Sequence, residues 1–218
     1  MTVFLWYNLY GDNMASAIIH MCVAKRINEV LKVNEIALFL GSIAPDISKQ
    51  VKQSKNISHF ITDKEDVPNV DLFLEKYKTK LNHPFELGYY IHLLTDKYWY
   101  EEFMPKLVSG DVVILVDGSK TTLNYDGVKR LIYDDYTNIN ITLIDHYKLS
   151  LKLFYEKITY PTVNIKEMPT DDLSIVIDKM GIIIENSNED KTSVFDCDKV
   201  VEFIDECAKR IMKDIRKL

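Results

Sequence analysis

His92 and Asp96 stand four residues apart in the run HPFELGYYIHLLTDKYWYEEFM, residues 83–104, and side chains at that spacing lie one above the other on a helix. A buried carboxylate needs a cation or several hydrogen-bond donors. The pair therefore reads either as a polar core contact or as two ligands to one metal ion, with the geometry of an H-x-x-x-H pair. Taken alone, the core contact is the commoner outcome. Upstream lie His20, Asp46 and His59, each on a separate segment. Histidine plus carboxylate, with no cysteine, suits catalytic zinc or another divalent transition ion better than a closed structural site. The set is large enough for two ions if one carboxylate bridges.

The elements that must position these residues are mostly helical. Pro84 suits a first helical turn, with Asn82 or His83 as cap, and Pro105 marks the end, which predicts a helix of about 20 residues, roughly 30 Å long. Its buried stripe runs through Phe85, Gly88, Tyr89, His92, Asp96, Trp99 and Phe103. Gly88 leaves room beside His92 for a ligand or for a neighbouring helix. A first amphipathic helix, 14–32, turns His20 inward with Ala17, Val23, Ala24, Ile27 and Leu31. Asn34 caps an apolar run, IALFLGSIA, read as helix in preference to strand and ending before Pro45, so that Asp46 falls on the corner beyond it. His59 sits where a polar stretch carrying Lys49, Lys52 and Lys55 gives way to apolar residues. These lysines read as a solvated face from which one could meet a substrate phosphate.

Further helices are predicted over 70–81, 126–146, 147–158, 171–186 and 196–217. Asp117-Gly118 between two β-rich runs marks a hairpin over 111–124. The fold class is mainly α: a multi-helix bundle around a central metal-bearing helix, 84–104, with one small β-hairpin. Residues 1–13 read as an N-terminal extension and 14–218 as a single helical domain, with a core at 14–108; Met14 is an alternative start.

Composition narrows the function classes. With 27 basic and 33 acidic residues the net charge is −6, which disfavours long nucleic acids as partners. Cys22, Cys197 and Cys207 are scattered and odd in number, as expected of a reducing compartment. The opening MTVFLWYNLYGDN lacks a basic n-region and a small-residue cleavage site, and no transmembrane run is present, so the expected location is cytoplasmic. His83 and His146 are expected to be structural, and Glu101, Glu102 and Tyr89 are candidates for a pocket.

The order A-S-A-I-I-H, L-G-S-I-A-P-D, S-H-F and L-G-Y-Y-I-H-L-L-T-D, spread over residues 14–104, resembles the zinc-dependent phospholipase C family, whose all-helical fold is shared by zinc-dependent single-strand nucleases. The resemblance implies zinc held among helices and hydrolysis of a phosphodiester by metal-activated water. His20, Asp46, His59, His92 and Asp96 match the family's ligand positions. Asp96 would bridge, with His20 on one ion and His59 and His92 on the other, and Asp46 would also orient or deprotonate the water. Six residues beyond Asp96, where the family has another histidine, this chain has Glu102, which completes the expected ligand set. The downstream H-x-x-x-E/D pair of the secreted members is missing, with Asp134 to Asn138 as its remote substitute, and Trp6 supplies no terminal amine without cleavage. One or two Zn2+ ions are therefore expected rather than three. The expected substrate is a small phosphodiester or phospholipid headgroup. The alternatives are a nucleotide phosphodiesterase or nuclease, and a non-catalytic helical binding protein that keeps part of the metal site.

Overall fold

A computed structural model describes residues 15–48, 50–62 and 67–218. The N-terminal extension, Met14, Trp6 and Lys49 lie outside the described residues. The architecture is mainly α, as the periodicity predicts, with one three-stranded antiparallel sheet.

Helix α1 (Ala17–Leu31) begins at Ser16, whose hydroxyl accepts the Ile19 N–H, and closes with Lys32 in the left-handed region at φ 56°. Helix α2 (Glu35–Ile43) is capped as expected by Asn34, which accepts from the Ala37 N–H at 3.0 Å. The apolar run is thus helix and not strand. The chain then tightens into a 3-10 turn over Ala44–Ser48, since Pro45 can donate no further helical bond. A single turn, α3 (Lys55–Ser58), precedes His59, and Phe60 follows at φ 55°. Helix α4 (Val70–Tyr77) continues as a 3-10 turn over Lys78–Lys80.

The central helix α5 (Pro84–Tyr98) is buried on every side from Phe85 to Asp96, rather than along one stripe. It packs most extensively on α2, and glycines account for how closely. A Cβ on Gly88 would lie 2.1 Å from the Leu38 carbonyl oxygen, and one on Gly41 would lie 2.0 Å from that of Phe85. The room beside Gly88 is therefore taken by a neighbouring helix. Beyond Tyr98 the helix loosens into a π turn, Trp99–Phe103, and a 3-10 turn, Met104–Lys106.

The predicted hairpin forms from β2 (Val112–Ile114) and β3 (Lys120–Thr122), with Gly118 at φ 84° in its turn. A short β1 (Val108–Ser109), absent from the sequence expectation, pairs with β2 on its other edge. Helix α6 (Tyr125–Tyr147) is capped by Asn124. The helix predicted over 147–158 shrinks to one turn, α7 (Lys152–Tyr155), because Lys148 enters the left-handed region at φ 49° and ends α6. Helices α8 (Leu173–Glu185) and α9 (Cys197–Ile215) complete the chain. The three cysteines are free thiols.

Helix α6 is tied to the loop before α9 by Asp135 and to the end of α5 by Trp99. The buried Asp135 carboxylate accepts the N–H groups of Ser193, Val194 and Phe195 at 2.6–3.0 Å, a loop-clamping role rather than a metal-binding one. The Trp99 indole N–H donates to the Tyr136 hydroxyl at 3.0 Å.

Candidate metal centre

Helices α1 and α5, the corner after α2 and the turn after α3 bring His20, Asp46, His59, His92 and Asp96 together. One donor atom each from His20, Asp46, His92 and Asp96 lies within 4.8 Å of the others. His59 joins them: its Nε2 is 3.1 Å from His92 Nε2, 3.4 Å from Asp96 Oδ2 and 3.5 Å from Asp46 Oδ1. His20 Nε2 is 3.2 Å from Asp96 Oδ1 and 3.8 Å from Asp46 Oδ2. His92 Nε2 is 3.2 Å from Asp96 Oδ2. Donors that each sit about 2.1 Å from one ion lie within about 4.2 Å of one another, and the pair distances of 3.1–3.8 Å fall inside that limit.

Backbone carbonyls settle the tautomers of two of the rings. A carbonyl oxygen only accepts, so His92 Nδ1, 2.8 Å from Ser42 O, carries the proton and leaves a lone pair on Nε2. His59 Nδ1 lies 3.2 Å from Lys55 O and 2.8 Å from Ser58 Oγ, with the same result. Both neutral rings then aim lone pairs at each other and at two carboxylates, an arrangement that repels without a cation between them. Among the described residues, the buried His20 Nδ1 and Nε2 and Asp96 Oδ2 have no hydrogen-bond partner. Such orphaned atoms, converging with the right donor chemistry, fit a divalent metal ion.

Electrostatics follow the same geometry. Burial pulls His59 down to about 4, helped by the Lys55 charge and opposed by the Asp46 hydrogen bond. His92 is also pushed down by burial, but the carboxylates of Asp96 and Asp46 overcome this and raise it. Asp46 falls to about 2 because the facing His92, His59 and His20 outweigh the upward push of burial. Asp96 is held well below the usual carboxylate range against burial by His92 and His20.

Supporting groups come from the backbone and from aromatic residues. The Ala15 N–H donates to Asp96 Oδ1 at 3.1 Å. Tyr89, one turn before His92, donates its hydroxyl to Ser58 O and so fixes the corner that presents His59. The carbonyls of Ser42 and Lys55 escape sequence reasoning, since any residue type offers a carbonyl. The one signal for Ser42 is the preceding Gly41, which lets α2 approach α5 closely enough for that contact.

Glu102 is a correction. It is exposed on the π turn and pairs with Arg210 of α9, at 2.7 Å through Oε1, so it takes no part in the cluster. The π turn adds a residue to the helical repeat and rotates the following side chains away from the stripe that carries Asp96. Glu101, His83 and His146 are likewise exposed, outside the enclosed cluster, and Lys52 is solvent-facing. Lys55 instead reaches the site.

Only Asp46 in the cluster is partly open, with 19% of its side chain exposed, whereas His20, His59, His92 and Asp96 are fully enclosed. Asp46 and His59 form one end of a mostly apolar pocket of about 320 Å3 between the α3 corner and helices α6 and α8. No helix among the described residues is long and apolar enough to cross a membrane. No family model, curated protein or solved structure matches the chain.

Proposed function

We propose that this chain is a metal-dependent phosphoesterase, with zinc as the ion that best suits a histidine and carboxylate donor set. The observation that carries the reading is the pair of carbonyl-bonded imidazoles, His59 and His92, whose Nε2 atoms converge at 3.1 Å opposite Asp46 and Asp96 beside an open pocket. The resemblance of residues 14–104 to the phospholipase C family supports the reaction class.

A bound divalent ion would make hydroxide available near neutral pH and neutralise charge on phosphoryl oxygens. The protein's own contribution is positional. His20, His59, His92 and Asp96 would hold the ion from an enclosed wall. Asp96 turns Oδ1 to His20 and Oδ2 to His59 and His92, the disposition a bridging carboxylate needs if two ions bind. Asp46, the one cluster member with solvent exposure at the pocket, would orient the attacking water toward phosphorus.

A second reading keeps the ion as a purely structural group in a helical binding protein. It is favoured by the placement of Glu102 on Arg210, which leaves the ligand set smaller than the family's. Metal analysis of protein purified without chelator, followed by assay with a bis-aryl phosphate diester, separates the readings. One to two equivalents of metal and chelator-sensitive hydrolysis support the phosphoesterase; bound metal without turnover supports the structural role, and a metal-free, inactive protein removes both.

A further inference from the structure

The pocket beside the metal centre has two chemically distinct ends, and they limit what an ester substrate can be. One end is Asp46 and His59 with Lys55. Lys55 opens the helical turn that leads to His59: its backbone carbonyl holds the imidazole, and its side chain lines the same end of the pocket, where its charge acts on the ring. Among the described residues that line the pocket it is the one Lys or Arg. The other end is a wall from α6 and α8 that includes Tyr133, Tyr136 and Ile183. Tyr136 is held by the Trp99 indole, whereas Tyr133 and Ile183 remain 40% and 37% exposed at the rim.

Size supplies the second constraint. A volume of about 320 Å3 lies at the low end of small-ligand pockets. It holds a phosphoryl group and one ring or short chain. Two acyl chains, or several consecutive nucleotides, would extend beyond it.

We infer that the pocket takes a compact, water-soluble phosphate ester, with its phosphoryl oxygens between Lys55 and the Asp46–His59 edge and one ring-sized organic group against Tyr133, Tyr136 and Ile183. This rests on the phosphoesterase reading for the identity of the reacting group, but the binding site is testable without turnover. Lys55 reads the anion. The aromatic wall reads the organic group, and the small volume favours one ring over lipid or polymer.

The test titrates the full chain, as purified with its metal, with inorganic phosphate and with phenyl phosphate, for wild type, Lys55→Met and Ile183→Trp. Lys55→Met is expected to weaken both ligands by a similar factor, about tenfold. Ile183→Trp fills the wall end and is expected to weaken phenyl phosphate about tenfold while leaving inorganic phosphate and metal content unchanged. Equal effects of Ile183→Trp on both ligands, no effect of either substitution, or failure of the wild type to bind phenyl phosphate would overturn the assignment. So would phosphatidylcholine vesicles or an oligonucleotide displacing phenyl phosphate at lower concentration than a free aryl phosphate does. If the binding pattern holds and no ester is hydrolysed, the phosphoesterase reading fails and the binding site stands.

Discussion

His59 Nε2 and His92 Nε2 lie 3.1 Å apart while the opposite nitrogen of each ring is committed to a backbone carbonyl, Lys55 O for one and Ser42 O for the other. Two lone pairs held face to face beside Asp46 and Asp96 are stable only with positive charge between them, from a metal ion or from a proton. That choice underlies the predictions that follow.

Asp96 contacts all three cluster histidines, so Asp96→Asn replaces a charged acceptor at the centre with an amide that must turn an NH2 toward one of them. Metal affinity is expected to fall by about 100-fold or more. Metal content after dialysis against buffer checks this, and an Asp96→Asn protein with full metal content would remove Asp96 from the ligand set.

In chelator-stripped protein, a proton takes over from the metal and stability becomes pH-dependent with two opposing signs. His59 is lowered from 6.5 to about 4, so its contribution is present above pH 6.5 and is lost as pH falls toward 4. His92 is raised above 6.5, so its contribution is full below that pH and is lost as pH rises past it. Urea denaturation of the stripped protein between pH 4 and 8 is expected to show maximal stability near pH 6.5. A steady rise through pH 8 would contradict the protonation pattern.

Gly88→Ala puts a methyl group 2.1 Å from Leu38 O, and no rotamer can relieve a clash with backbone. The helices must separate, at a cost of about 3 kcal/mol or more, or roughly 10 °C in Tm for a chain of this size. Because Ser42 O moves with α2, metal affinity is expected to fall in parallel. Thermal melts with and without chelator measure both effects.

Glu102→Gln, by contrast, removes a carboxylate that is exposed and engaged with Arg210. Metal content is expected to stay at the wild-type level and stability to change by about 0.5 kcal/mol or less. Loss of metal in this variant would restore Glu102 to the centre.

Much of the cluster was legible in residue types and order, because ligands on helices obey fixed spacings. His92 and Asp96 had to share a helical face, His20 had to point inward from an amphipathic helix, and Pro45 had to break α2 just before Asp46. The asparagine cap at 34 and the Asp117-Gly118 turn were readable for the same local reason. Glu102 misled because a count of residues assumes a uniform helix, and the π turn at Trp99–Phe103 breaks the count. The truncated α7 has a similar cause, a single left-handed residue at Lys148 that periodicity does not mark.

By itself, then, the sequence determined the donor types, the faces on which they lie and the helical class that carries them, since each follows from chain-local geometry. The tertiary structure alone decided that His59 meets His92 across elements 33 residues apart, that backbone carbonyls of Ser42 and Lys55 set the tautomers, and that Asp46 is the member open to the pocket. Those relationships depend on how closely α2 can approach α5. Two glycines permit that approach, and only packing shows what comes to fill the space they leave.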